Sequence, residues 1–282
     1  MNGILAIERN EVKLLSNSGI SAGGTAYFRF NPGLRYHGLV VKYSGTLADY
    51  PELRVMANTE TIRRVSFAEQ DMMNQTDGLA AASGFLFIPF DSLGMRVREG
   101  EEETALNVGR PASIAEMQPN EITSAELQID IAGSPTATPS LEIWATVSNA
   151  LPGGAGLVRH IVKTNRPVQG AGEFDVQDLN HGKPNRAWLR RVFFKSEDMN
   201  QLEIYRENVK IFERTRAVNT INLSNGMRNQ QSGWTLIDKC EDGYAGSKIS
   251  TIGIADFRIR LGMTAAASNM PVITEWLGTL KA

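Results

Sequence analysis

The chain has one cysteine, Cys240, in 282 residues. An internal disulfide is therefore excluded, and so is a zinc site built on cysteines. Cys240 itself reads as a small, partly buried hydrophobe. Histidine is almost as scarce, with only His37, His160 and His181 present. No HxH, HExxH or HxxE spacing involves them. His37 and His160 fall inside apparent strands and read as satisfied strand residues; His181 sits in the turn Asn180-His181-Gly182-Lys183-Pro184. There is no GxSxG elbow, no Walker loop and no GxGxxG after a strand. Gly153-Gly154-Ala155-Gly156 lacks the Lys-Ser/Thr that a phosphate loop needs. No apolar run approaches the ~20 residues of a membrane-spanning helix. Glu8, Arg9, Glu11 and Lys13 come too early for a signal-peptide core, so nothing marks the chain for secretion. A net charge of −2 argues against a general DNA-binding surface, which needs a basic excess to release counterions.

What the chain does have is a stretch that occurs twice. Residues 53–65 read LRVMANTETIRRV and residues 202–214 read LEIYRENVKIFER. At an offset of 149, Leu53 meets Leu202, Val55 meets Ile204 and Ile62 meets Ile211. Each copy alternates, turns at polar residues and alternates again, the pattern of a β-hairpin with one buried face. Upstream, Val40-Val41-Lys42-Tyr43-Ser44 resembles Val192-Phe193-Phe194-Lys195-Ser196. Downstream, residues 126–131 match 256–261 at an offset of 130, and each copy ends in a strand carrying a tryptophan, Trp144 or Trp276. Four elements in one order point to a duplicated domain.

The length suits two domains. The break is expected at Asn149-Ala150-Leu151-Pro152-Gly153-Gly154-Ala155-Gly156, giving units 1–150 and 151–282. Short strands are expected at 25–30, 36–43, 52–57, 60–65, 84–90, 122–132 and 140–148, with a helix at 66–75 opened by a Ser66/Glu69 capping box. The second half repeats this at 156–165, 172–177, 187–195, 201–206, 209–214, 233–239, 247–261 and 271–279. Its segment 215–230 stands where the helix should be, but Gly226 and the asparagines make it more loop than helix. The fold expected is all-β: two tandem eight-stranded jelly-roll β-sandwiches, with short helices in loops.

Few residues suggest chemistry. Glu99, Glu101, Glu102 and Glu103 bring carboxylates together that suit a hard divalent cation such as calcium, and Asp238, Glu241 and Asp242 make a second acidic group. Neither has EF-hand spacing, and a solvated acidic loop is the plainer reading of both. Arg63-Arg64 and Arg190-Arg191 lie on strands, where neighbours point to opposite faces. One of each pair is a candidate for a subunit interface, where arginine suits ion pairing. The four tryptophans read most simply as core. Ile4, Leu5 and Ile7 belong to a 15-residue N-terminal arm that either docks on a neighbour or adds an edge strand to its own domain.

These residues resemble a known family, the double jelly-roll major capsid proteins of tailless icosahedral bacteriophages with an internal membrane. The corticovirus type and its short marine relatives are the nearest likeness. The resemblance rests on the length, the two similar halves and the segments 39–65 and 188–214. It rests also on Arg190-Arg191-Val192-Phe193-Phe194-Lys195, similar to an Arg-Arg-x-Phe-Phe-Lys run in that family, and on the closing Val272-Ile273-Thr274-Glu275-Trp276-Leu277-Gly278. It implies a homotrimer whose six jelly rolls form a pseudo-hexagonal block of an icosahedral shell. Neighbouring capsomers, a penton (vertex) protein and the internal viral membrane would be its partners, with the arm facing the membrane or a neighbouring trimer. The protein would be assembled in the bacterial cytoplasm and found in the virion. No enzymatic activity and no sequence-specific nucleic-acid contact are implied; the only ligand would be a structural divalent cation. Two other readings suit tandem sandwiches: a glycan-processing enzyme with carboxylates in an inter-domain cleft, and a carbohydrate- or receptor-binding module with exposed tryptophans.

Overall fold

A computed structural model describes residues 8–16, 19–109 and 120–280. The first half contains β1 (Asn10–Leu14), β2 (Thr25–Arg29), β3 (Leu34–Tyr43), β4 (Glu52–Ala57), β5 (Glu60–Val65), α1 (Phe67–Thr76), β6 (Phe85–Pro89), α2 (Arg98–Glu102), β7 (Leu106–Val108), β8 (Ala125–Asp130) and β9 (Leu141–Asn149). The second contains β10 (Val158–Val168), β11 (Gly172–Val176), β12 (Trp188–Phe194), β13 (Met199–Arg206), β14 (Val209–Thr215), α3 (Arg216–Leu223), β15 (Thr235–Asp238), β16 (Ile249–Ser250), β17 (Phe257–Met263) and β18 (Ala267–Gly278).

Strand order makes the repeat explicit. The first half has sheets β1-β9-β3-β6 and β5-β4-β8-β2, with β7 added to β3. The second has β10-β18-β12-β15 and β14-β13-β17-β11, with β16 added to β12. Every strand thus has a counterpart in the same place, and each half is an eight-stranded jelly roll carrying one short extra strand. The expected fold class is the one observed.

The repeat extends to irregularities. The hairpin β4–β5 has a bulge between Val55 and Met56, and β13–β14 has one between Ile204 and Tyr205, at the offset of 149. Asn58 and Glu207 both have positive φ and begin the two tight turns. Asn58 Oδ1 accepts from the backbone N–H of Thr123 and Ser124, while Glu207 Oε1 accepts from those of Ala255 and Asp256. Each brace ties its hairpin to the strand that follows.

Registers correct two of the sequence alignments. Leu53 pairs with Ile129 and Leu202 with Leu261, so β8 and β17 correspond at 132 rather than 130. That slip of two keeps the same face and is invisible to an alternating pattern. Val40 lies opposite Phe87 and Trp144, as Phe193 lies opposite Leu236 and Ile273. Val40 therefore matches Phe193 rather than Val192, and Trp144 matches Ile273. Trp276 is core, whereas Trp144 points away from it and is half-buried. Trp188 is also half-buried and Trp234 buried, so the tryptophans are not uniformly core and none forms an exposed platform.

The segment 215–230 is another correction, because α3 is a helix of two turns. Thr215 caps it by accepting from the Val218 N–H, and Asn219 donates to the carbonyl of Leu236. Asn74 of α1 donates to the carbonyl of Phe87, the matching strand residue. The sandwich interiors supply the stability of both halves. Leu53, Val55, Leu127, Ile129 and Ile143 line the first; Leu202, Ile204, Ile259, Leu261 and Trp276 line the second, all fully buried.

Candidate functional site

The halves do not merely sit side by side. The outer face of the β10-β18-β12-β15 sheet is covered by β5, α1 and the segment after β6. Phe193, Trp234, Leu236 and Ile273 on that face join the core cluster of the first half. At one point the sheets touch directly, where Ile161 of β10 pairs in parallel with Arg63 of β5.

An ionic network runs through this seam. Glu275 on β18 is fully buried. It accepts from Arg190 at 2.8 Å and from Arg191 at 2.8 and 3.0 Å, and Arg159 lies 3.8 Å away. Arg191 also holds Asp77 with both terminal nitrogens, at 2.6 and 3.2 Å. Asp77 is the C-cap of α1, so this fork joins the halves. Arg228 donates to Asp238 at 2.6 Å. Arg190 reaches Ser92 Oγ at 3.0 Å, and Arg159 donates to the carbonyls of Pro89 and Asp91. Lys163 meets Glu69, and Asn185 donates to Glu60.

Burial would push the Glu275 carboxyl up, but Arg191, Arg190 and Arg159 outweigh it and hold the group well below the usual carboxylate range. Burial lowers Arg159 to about 10 despite Glu275, because Arg190 and Arg191 are also close. Arg63 is lowered further by burial and by Arg159. Arg191 is raised, its burial outweighed by Asp77 and Glu275. Such a network contributes little net stability as a whole but is costly to break at one member.

The sequence candidates fall unevenly on this map. Arg63, Arg190 and Arg191 are buried and bonded within one chain: Arg190 and Arg191 reach across to Ser92 and Asp77 of the first half, while Arg63 donates to Gln70 and the Pro89 carbonyl within its own half, so none of the three is free to meet another subunit. Arg64 alone of the four is exposed, pairing with Glu52. The acidic run is dispersed. Glu102 is buried and held by Arg9, Arg35 and Arg98, Glu103 pairs with Lys248, and Glu99 faces solvent. Burial raises the Glu101 carboxyl. Among the described residues no three His, Cys, Asp or Glu side chains are placed to hold a metal ion. The second acidic group is splayed too, with Asp238 on Arg228 and Glu241 on Arg214. Ile4, Leu5 and Ile7 lie outside the described residues.

One constellation escaped sequence reasoning. His37 Nδ1 lies 3.1 Å from Asp91 and Nε2 lies 2.9 Å from Ser148 Oγ, the connectivity of a hydrolase triad. All three residues are buried, each only 2% exposed. A nucleophile must reach its substrate, so the trio works as a polar tie. The bulge in β3 explains it, because His37 is its extra residue. Arg190 is the extra residue of the matching bulge in β12 and likewise turns into a buried polar network.

Comparison with known proteins agrees with this plan. Family models match in two pieces: the viral coat protein P2 N-terminal domain over residues 11–148 and the viral coat protein P2 C-terminal domain over residues 158–280. The chain is similar in fold to the major capsid protein P2 of bacteriophage PM2, with a TM-score of 0.84 at 17% identity over 97% of this chain and 98% of that one. It is also similar to a protein in the atomic structure of Sulfolobus Turreted Icosahedral Virus, with a TM-score of 0.66 at 10% identity over 97% and 91% of the two chains. The PBCV-1 virus capsid gives 0.61 at 8% identity over 96% and 93%. None of the curated proteins matches by sequence.

Proposed function

The chain belongs to the viral coat protein P2 family, and from that premise we propose that it builds an icosahedral virion shell as a homotrimeric, pseudo-hexagonal capsomer. The observation that carries this reading is the seam. One jelly roll already buries the sheet wall of another, on a plan that both halves share. Units that associate side by side in this way suit a block of six. The two jelly rolls divide at the linker, as 1–150 and 151–282. Neighbouring capsomers and a vertex protein are its partners, and the arm with Ile4, Leu5 and Ile7 faces the internal membrane or a neighbouring trimer. Exposed Arg64 is available to such contacts. Assembly takes place in the host cytoplasm and the product resides in the shell.

The role is structural rather than enzymatic. The Ser148–His37–Asp91 trio has the bonds of a triad without access, and no cofactor enters the reading. Electron microscopy of the concentrated, purified chain tests the proposal. Three-fold blocks that pack into hexagonal sheets are expected; dispersed particles of single-chain size under all conditions would contradict it.

A further inference from the structure

The two halves differ at one corner of the sandwich. In the first, Leu14 on β1 pairs with Ile143 and Val12 with Ala145, and Leu14, Ile143 and Ala145 are buried in the core. Trp144 matches Ile273, so the equivalent cross-strand pairs of β10 and β18 are Thr164 with Val272 and Val162 with Thr274. Thr164 thus stands where the first half has Leu14, and Thr274 where it has Ala145. The chain between β2 and β3 is residues 30–33, whereas that between β11 and β12 is residues 177–187. One corner is plugged by an apolar side chain and closed by a short turn. The other carries hydroxyls beneath a long loop.

A cavity of about 470 Å³ opens at that second corner, with Thr164, Asn165, Arg166, Asn180, Arg186 and Thr274 on its walls. The volume suits a small organic ligand better than a bare ion. Two guanidinium groups supply its charge. Arg166 donates through its terminal nitrogens to Asp178, and its Nε is buried without a partner. The Asp178 side chain is 72% exposed, so it balances Arg166 from the solvent side. Arg186 donates to the Leu179 carbonyl at 2.8 Å and, among the described residues, forms no ion pair. Burial lowers its pKa, and Glu60, which already accepts from Asn185, offsets that only in part. A half-buried cation bonded to a neutral carbonyl is stabilised by an anion placed beside it. The planar fork of a guanidinium matches the oxygens of a phosphate two at a time.

We propose that this cavity is a binding site for a phosphate ester. The phosphate lies between Arg186 and the Nε edge of Arg166, and Thr164, Asn165 and Asn180 meet the oxygens of the group it esterifies. That chemistry is shared by a free ester such as glycerol phosphate and by a phosphoglycerol lipid headgroup. Every residue of the site belongs to the second jelly roll, so the proposal stands apart from how chains assemble.

Calorimetric titration of the purified full chain with glycerol phosphate at constant ionic strength tests the site, and saturable binding is expected. Arg186→Gln removes the charge, and Thr164→Leu restores the plug that the first half uses. Each is expected to weaken binding about tenfold or more, the worth of a lost charged hydrogen bond. Arg29→Gln, an exposed arginine on β2, is expected to bind as the wild type does. Circular dichroism checks that each variant is folded. Flotation with phosphatidylglycerol vesicles then separates the sources: co-flotation that Arg186→Gln abolishes assigns the headgroup, and its absence assigns the free ester. No saturable heat with the wild type, or wild-type affinity in both Arg186→Gln and Thr164→Leu, would overturn the site.

Discussion

The covered wall of the second jelly roll and the open wall of the first are one design with different side chains. Where the second places Arg191, Glu275 and Asp238, the first places Gly38, Thr146 and Pro89. A wall that is always covered by its own chain can carry buried charges, because their partners are folded against them from the start. The open wall of the first half carries its charges at the surface instead, where Lys13 and Lys42 both pair with Glu142 and Lys13 lies over the half-buried ring of Trp144. Coverage by its own chain is what separates the two walls.

Removing one member of the ionic seam should be the most damaging change. Glu275→Ala leaves Arg190 and Arg191 without their shared carboxylate, and a loss of about 3–5 kcal/mol is expected in denaturant unfolding. Next come the matched cavities. Leu53→Ala and Leu202→Ala remove counterparts from the two cores, and each should cost about 2–5 kcal/mol. Separate calorimetric transitions for the two halves would show the loss confined to the half that carries the change; a single shared transition would show that the seam couples them.

Acid should then weaken the second wall more than the first. The folded-state pKa of Glu275 is below its ordinary value of 4.5, so the unfolded chain binds that proton more readily. Its contribution is complete above about pH 5 and is lost as pH falls below 4.5 toward the lowered folded value. The melting temperature should be level down to about pH 5 and drop below it, with a shallower drop in Glu275→Gln. The smallest effect is expected at Arg64→Ala. Its side chain is 63% exposed and pairs with Glu52 in solvent, so no more than about 1 kcal/mol should be lost. Neighbouring Arg63→Ala, inside the seam, should cost several times more.

Much of this plan was legible in the sequence. The hairpins at 53–65 and 202–214 announce themselves because alternation and turn chemistry are local. What decides the seam is not local. Arg190 and Arg191 read as surface charge or subunit contacts because nothing in a strand's pattern says which partner covers its outer face. The bulges at His37 and Arg190 add a residue without changing composition, so Val40 was aligned with Val192 instead of Phe193. Helix α3 was missed because its stability comes from the Thr215 cap and the Asn219 bond to Leu236, and propensity alone would leave it a loop. The acidic residues 99–103 drew attention as a cluster, yet folding separates them among Arg9, Arg35, Arg98 and Lys248.

The most direct test of the whole account is the solution mass of the purified chain by light scattering on a size column, across a range of concentrations. The account predicts a stable species at three times the 30.9 kDa of one chain. A species of one chain mass at every concentration would contradict it.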